Sequence, residues 1–427
     1  MGTIKLDHIS KIEGHADLYV KIDDKEIKEL SLDGVEGARY FEGFLKGRKY
    51  NEVHHIVSRI CGVCSQSHLL CGLKAIENAL HVTLTPQAKT LRKLILYGSI
   101  LQSHVLHLYF LALPDYLGYE SAIAMASKYK DEVKVALQLK KLANDICTTI
   151  GGRDVHCVTP VVGGFSKLPS QKAVDDLILR LKKSRKHMQA TFDLFASIKA
   201  PSFERKTEYV ALKDPEEYAF YQGRIVSTEG IDVSQKKYKK VLHEKVKDTS
   251  SAKFVSATNN LPFMTGSLAR MNLNHPQLNE SAKKAIQKAG YSFPSHDPFM
   301  NNIAQAVELL HLTDETISLL EKLDLKPEEP VEYDVKAGKG VAALEVPRGT
   351  VYHEYELDDN GFVAKANIIA PTTQNLYNIE KDLWKFIPGI LDKEESEVVM
   401  DIEKLIRAYD PCLSCAAHFL NVEFDRV

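Results

Sequence analysis

Two Cys-x-x-Cys pairs stand near opposite ends of this 427-residue chain: Cys61 and Cys64 in SRICGVCSQSH, and Cys412 and Cys415 in DPCLSCAAH. A histidine follows each pair, His68 and His418. A Cys-x-x-Cys turn lets two thiolates face one metal, and four thiolates suit soft or borderline ions. Zinc ribbons keep their pairs close in sequence, whereas these are 351 positions apart. One shared metal would close almost the whole chain into a loop, at about 5 kcal/mol plus a constant on the loop-entropy scaling. Structural zinc, with an apparent binding energy of about 10–16 kcal/mol, offsets that cost. From the thiols alone three readings stay open: a chain-spanning zinc site, an iron–sulfur cluster whose spacing matches no ferredoxin run, and four unligated core cysteines.

The other three thiols, Cys71, Cys147 and Cys157, are scattered and read as small buried side chains. An odd count of seven in a chain without a secretory signal argues against a disulfide framework and for reduced thiols in the cytoplasm. The opening MGTIKLDHISKIEGH has no apolar signal core. No window approaches 18 uninterrupted apolar residues, so no membrane span is expected. A net charge of −2 gives no reason to expect nucleic acid or a membrane surface as partner.

Between the pairs the hydrophobic period changes twice. HADLYVKIDD and EIKELSLDG alternate apolar and polar residues around turn signals, as half-buried strands do. From about residue 36 the period is helical, in SHLLCGLKAIENALHV, DEVKVALQLKKLANDICTTIG, SQKAVDDLILRLKKSRKHMQATFDLFASI and NNIAQAVELLHLTDETISLLEKL. AKTLRKLILYGSILQSHVLHLYFLAL is apolar round most of its circumference and is expected to be a buried central helix. Strands return between 330 and 370, with glycines and an Asn-Gly turn as punctuation. Helices over about 376–390 and 396–408 lead to Asp410-Pro411, and the proline places the last cysteines in a turn. The expected fold is α+β, mainly α, with a long-helix core and small β elements near the N-terminus and around 330–370. We read it as a single domain over 1–427: β-rich 1–35, helical 36–329, β-rich 330–370, helices and metal motif 371–418, and a tail 419–427.

R-x-C-G-x-C-x-x-x-H near the start and D-P-C-x-x-C-x-x-H at the end resemble the two signature motifs of the large subunit of nickel–iron hydrogenases. KIEGH (Lys11 to His15) is similar to the family's R-x-E-G-H box, with lysine for arginine. ARYFEGFLKGR, HVLHLYFLALPD, GGRDVH, EVPRG and APTTQNL follow in the family's order. The resemblance covers nearly the whole chain and looks most like the cytoplasmic sulfhydrogenase and cofactor-coupled branch. It implies reversible heterolytic splitting of hydrogen at a nickel–iron centre. Cys61 and Cys412 would be terminal ligands of nickel, and Cys64 and Cys415 would bridge nickel to an iron carrying carbon monoxide and two cyanides. Glu13 would relay protons beside Cys412. Arg348 would donate to one cyanide, with charge-assisted geometry that lysine does not reproduce. Pro371 and Thr372 would line the other. Where many members carry an aspartate against that arginine, this chain has Ser103, so the pairing falls to Asp410. Glu42, the backbone carbonyl of Ile368 and His418 would hold magnesium, with water completing the octahedron.

Unaided by the resemblance, Glu13 reads as a solvated turn residue before Gly14, Glu42 as a solvated helix residue and Arg348 as part of a surface turn. His104 and His107, spaced i, i+3, could bind metal but suit hydrogen bonding in the core better. With the four paired thiols committed, the chain cannot hold a string of iron–sulfur clusters, and it has no G-x-G-x-x-G dinucleotide fingerprint. The resemblance therefore implies partners: an iron–sulfur small subunit covering a face near Arg153 and His156, and flavin and iron–sulfur electron-transfer subunits beyond it. It also implies a maturation endopeptidase that trims FLNVEFDRV after His418. Against trimming, Leu420, Val422 and Phe424 alternate with polar neighbours as a half-buried strand does. A structural zinc protein, or a respiratory-complex relative that has lost hydrogenase chemistry, is the alternative; the presence of all four cysteines argues against the latter.

Overall fold

Alternating burial along Ala16–Asp23 and Glu26–Gly34 places Leu18, Val20 and Leu32 on the inner face of an antiparallel sheet. These strands, β2 and β3, follow β1 (Gly2–Leu6) in the order β1-β2-β3. The structure, a computed structural model, describes residues 2–37 and 40–417. His418 and the tail 419–427 lie outside the described residues.

Helices α1 (Ser65–Leu80), α2 (Pro86–Leu106), α3 (Lys130–Gly151), α4 (Gln171–Ser197), α5 (Ser267–Asn274) and α6 (Met300–Glu321) form the central layer. α2 packs against α1, α3 and α6. Thr85 caps it with a side-chain bond to the Ala88 N–H, and Pro86 occupies its first turn, so its start is a sequence-encoded stop and go. It continues through a π-helical turn, His107–Ala112, into Leu113–Leu117. By length and hydropathy Pro86–Leu117 could cross a membrane, but 83% of its most apolar stretch is buried inside the protein, which marks a core helix. α3 ends where Gly152 adopts φ +79, as the Gly-Gly pair leads one to expect.

Two segments differ from the sequence expectation. The stretch taken as helical through 329 contains short strands β4 (Glu208–Lys213), β5 (Arg224–Ser227), β6 (Asp232–Val233) and β7 (Phe263–Met264), in the order β7-β4-β5-β6. β4 is buried at four consecutive residues, so it carries no alternation to read. α6, expected to be amphipathic, is buried on every side from Asn301 to Thr313.

A late meander, β8 (Gly338–Val346), β9 (Gly349–Leu357) and β10 (Val363–Ile369), lies on α1. The contact is backbone to backbone: a Cβ on Gly340 would lie 1.9 Å from the Ala75 carbonyl. Val346 pairs with Gly349, so Pro347 and Arg348 form a two-residue hairpin turn. α7 (Pro371–Phe386) and α8 (Glu395–Ala408) follow. Cys412 is then extended, and Cys415 lies on a one-turn helix, Leu413–Ala416, rather than in an open turn.

Candidate metal centre

The first thiol pair is delivered by a tight turn: Cys61 follows the 3-10 turn Ser58–Ile60, and Cys64 caps α1. The N–H groups of Val63 and Cys64 point at Cys61 Sγ, at 3.3 and 3.4 Å. The second pair is delivered by the end of α8. There Asp410 adopts φ +51 before Pro411, a left-handed conformation costing about 1–3 kcal/mol for a residue with a Cβ. Cys412 then pairs in parallel with Glu13 through two backbone bonds, Leu413 N to Glu13 O at 2.7 Å and Glu13 N to Pro411 O at 3.3 Å. Gly14, at φ +81, makes this approach possible, since a Cβ there would lie 2.9 Å from Ser414 N.

The four sulfurs converge within 4.8 Å of one another and all are buried. Cys61 Sγ lies 3.6 Å from Cys412 Sγ, Cys64 Sγ 3.3 Å from Cys415 Sγ, and the two C-terminal sulfurs 2.9 Å apart. Among the described residues no other group of three or more His, Cys, Asp or Glu could hold an ion. Hydrogen bonds from Cys412, Cys415 and Cys64 draw the Cys61 thiol well below its usual range, while burial holds Cys412 and Cys415 well above it. Four thiolates here therefore need a cation to offset their charge, which is the chemistry of a metal site. By contrast, burial is the main cause that pushes Cys71 and Cys157 up to about 12, as inert packing thiols.

A cavity of about 10 Å³, room for one water-sized group, opens beside the sulfurs between Arg348, Pro371 and Thr372. Clefts of 970 and 760 Å³ elsewhere share no residue with it, so volume is not what marks the site. Arg348 Nε donates to the Asp410 carbonyl at 2.8 Å and to Asp410 Oδ1 at 3.0 Å. Its Nη2 lies 2.9 Å from Oδ1 without the alignment to donate, and Nη1 has no partner among the described residues. Buried guanidinium hydrogens without an acceptor are costly and mark a place for one. Thr372 Oγ1 accepts the Cys412 N–H at 2.9 Å, leaving its own hydrogen for another acceptor. Ser103 is buried, with a hydroxyl that has no partner among the described residues, and Asp410 takes Arg348.

Glu13 Oε2 lies 3.0 Å from Cys412 Sγ and accepts the Ser414 N–H at 3.2 Å. Glu42 sits apart from the sulfurs, accepting from the Ile368 N–H at 2.8 Å, with Lys253 Nζ 3.4 Å away. Burial raises its carboxyl above the usual range. Lys253 also reaches Glu244 at 3.1 Å, so two carboxylates face one ammonium. The histidines behave as core residues: His68 meets His353 at 3.1 Å, His104 meets Glu308 at 2.8 Å, and His107 meets Gln305 at 2.6 Å. His156 and Arg153 lie at the surface, Arg153 exposed and His156 partly so.

Sequence reasoning passed over the polar residues behind this site. Arg270, wholly buried, donates to Glu308 at 2.7 and 2.8 Å and to Glu345 at 2.9 Å. It also donates to the carbonyls of Val346 at 2.9 Å and Pro347 at 3.3 Å, the backbone just before Arg348. Glu308 amid AVELLHL was a visible signal, since a carboxylate in an apolar run needs a buried partner.

The family model described as nickel-dependent hydrogenase matches residues 39–135 and 217–418. The alpha subunit of sulfhydrogenase 1 from Pyrococcus furiosus is 34% identical over 98% of both chains. The beta subunit of the NAD-reducing hydrogenase HoxS from Cupriavidus necator is 29% identical over 97% of this chain and 94% of that protein. Among solved structures, an NAD+-reducing [NiFe]-hydrogenase in its H2-reduced state superposes with a TM-score of 0.88 at 27% identity, over 98% of this chain and all of that one.

Proposed function

The chain belongs to the nickel-dependent hydrogenase family, and from that premise we propose how its own residues serve the reaction. It is the catalytic subunit of a nickel–iron hydrogenase, an oxidoreductase acting on hydrogen, and its four cysteines suit nickel and iron. The observation that carries the reading is the convergence of four buried sulfurs from both ends of the chain beside a guanidinium with unused donors. The bound metals would supply the splitting of hydrogen into protons and electrons.

Cys61 and Cys412 would hold nickel, and Cys64 and Cys415 would hold nickel together with iron. Iron would carry diatomic ligands, one carbon monoxide and two cyanides: Arg348, whose guanidinium has unused donors, would donate to one cyanide, and Pro371 and Thr372 would face the other. Asp410 fixes the Arg348 guanidinium in place and offsets its charge. Glu13 takes the proton from the Cys412 sulfur at 3.0 Å, and the Ser414 N–H holds the accepting oxygen in place. Glu42 and the Ile368 carbonyl, with His418, would hold magnesium; the excess of carboxylate over ammonium at Glu42, Glu244 and Lys253 supports a cation there.

The curated relatives are each named as one subunit of an enzyme. An iron–sulfur small subunit on the face around Arg153 and His156, with flavin-bearing subunits beyond, would carry the electrons. Seven thiols without a disulfide support a cytoplasmic location. A maturation endopeptidase would remove residues 419–427.

Elemental analysis of the purified holoenzyme is expected to give nickel, iron and magnesium, with infrared bands from carbon monoxide and cyanide. The intact mass of the nickel-loaded subunit is expected to end at His418. Stoichiometric zinc without those bands would overturn the diatomic-ligand and nickel assignments together; a mass ending at Val427 would remove the endopeptidase alone.

A further inference from the structure

Two uncommon local conformations lie near the metal centre, and one side chain joins them. The core helix changes to π-helical winding at His107, a rare geometry that recurs at functional sites. On the other side Asp410 is held in the left-handed region at the end of α8. Between them Gln305, buried on α6, donates from Nε2 to Asp410 Oδ2 at 3.1 Å. Its Oε1 lies 2.6 Å from His107 Nδ1, and His107 Nε2 lies 2.7 Å from the Arg407 carbonyl. Asn301, one turn earlier on α6, donates to the Ala408 carbonyl at 2.7 Å. The segment 407–410 is thus tied to α6 at Ala408 and Asp410, and His107 sits between two acceptors, the Gln305 amide oxygen and the Arg407 carbonyl, of which a neutral ring donates to one.

The Asp410 carboxylate is shared between two donors. Oδ1 takes Arg348 and Oδ2 takes Gln305. A carboxylate bound through one oxygen can rotate about its Cβ–Cγ bond; bound through both, it presents a fixed edge to the guanidinium. The Asp410 carbonyl accepts from the same Arg348 Nε, so the orientation of the arginine depends on that of residue 410 as a whole.

We propose that Gln305, backed by His107, is the positioning residue that fixes Asp410 and through it aims Arg348 into the cavity beside the four sulfurs. This rests on the assignment of Arg348 to a ligand of iron given above. His107 lies three residues after His104, which meets Glu308, so the same face of the core helix carries both rings to α6 and sets His107 against Gln305 where the π turn begins. Partners of this kind orient groups at metal sites, and their loss costs about 10–100-fold in activity or metal affinity.

The test uses the assembled, metal-loaded enzyme. Gln305→Leu removes the donor while keeping side-chain bulk, and is expected to lower the turnover number about 10–100-fold, with nickel and iron contents unchanged and the cyanide bands shifted. Gln305→Glu gives a diagnostic pH profile. Its carboxyl donates to Asp410 only when protonated, so activity should approach wild type at acid pH and fall as pH rises, more steeply than in the wild type. Gln305→Leu should show no such recovery. Wild-type turnover and unshifted bands in Gln305→Leu would overturn the proposal. So would a loss of activity that tracks loss of nickel in both variants without the pH-dependent recovery, since that is a structural role. If wild-type enzyme itself lacks the cyanide bands, the assignment of Arg348 fails instead, and the pH contrast between the two variants decides the role of Gln305 by itself.

Discussion

Glu13 shows how one side chain can be read for chemistry once its contacts are known. It is the carboxylate at a sulfur of the cluster, 3.0 Å from Cys412, and its backbone pairs with that residue so that the two move together. Glu13→Gln keeps the shape and one hydrogen-bonding oxygen but cannot exchange a proton. Turnover is therefore expected to fall about 10²–10⁴-fold, the usual contribution of a positioned acid–base group, while nickel and iron remain bound. Steady-state hydrogen oxidation and metal content, measured on one preparation, check this; near-normal turnover would remove Glu13 from the relay. The same position shows the limit of the unaided sequence, in which a glutamate before glycine reads as a solvated turn.

At the scale of elements, a buried carboxylate adds to the backbone bonds that hold the Glu13 loop to the C-terminal segment. Asp115, on the helical turn after the π segment, pairs with Lys11 and, at 2.6 Å, with Arg407 on α8. Arg407 also donates to the Ser10 carbonyl at 2.9 Å. Three elements distant in sequence are thereby fixed together, and Lys11 serves where the family box has arginine. Removing one partner of a buried pair leaves a charge without compensation, at a cost of about 3–5 kcal/mol. Glu403 remains on Arg407 at 3.0 Å, which places Asp115→Ala near the lower end of that range. Chemical denaturation is expected to show the loss, and Lys11→Arg to preserve stability; an unchanged midpoint in Asp115→Ala would show that the clamp does not hold the loop.

For the whole molecule, burial of neutral imidazoles sets an acid limit. Burial, with His55 and Arg92 nearby, lowers His54 to about 3, and burial lowers His311 to about 4. His311 Nδ1 accepts the Asn279 N–H at 3.2 Å, a bond that the protonated ring cannot make. The unfolded chain takes up both protons near pH 6.5 and the folded chain does not. The stability these two rings contribute is therefore intact above about pH 6.5 and is lost as pH falls from there to the folded values, by about 1.4 kcal/mol per unit for each histidine. From pH 7.5 to 5.5 these two rings together are expected to contribute a loss of about 3 kcal/mol. His54→Leu and His311→Gln should each flatten the dependence in thermal unfolding. Asp297 acts in the opposite sense: burial raises its carboxyl to about 7, so the folded chain takes up that proton first and gains stability as pH falls from there. The histidine contribution is therefore read as the difference from the wild type, and pH slopes between about 7 and 5 identical to wild type in both variants would contradict this account.

What the sequence determined by itself is local or carried by residue identity. Helical period placed the long helices, alternation placed the N-terminal strands, and the two thiol pairs pointed to a metal once the motifs around them were matched to the nickel–iron hydrogenase family. Tertiary structure alone decided which groups meet. The uniformly buried β4 has no period to read, and α6 looks amphipathic because Asn301, Gln305 and Glu308 are polar, although all three are buried. A buried polar side chain is satisfied by partners that packing brings to it from any distance along the chain. Gln305 meets Asp410 105 residues away, Arg270 meets Val346 76 away, and Glu13 meets Cys412 399 away. Spacing along one element fixes which face a residue occupies, and only the closed fold fixes what lies opposite that face.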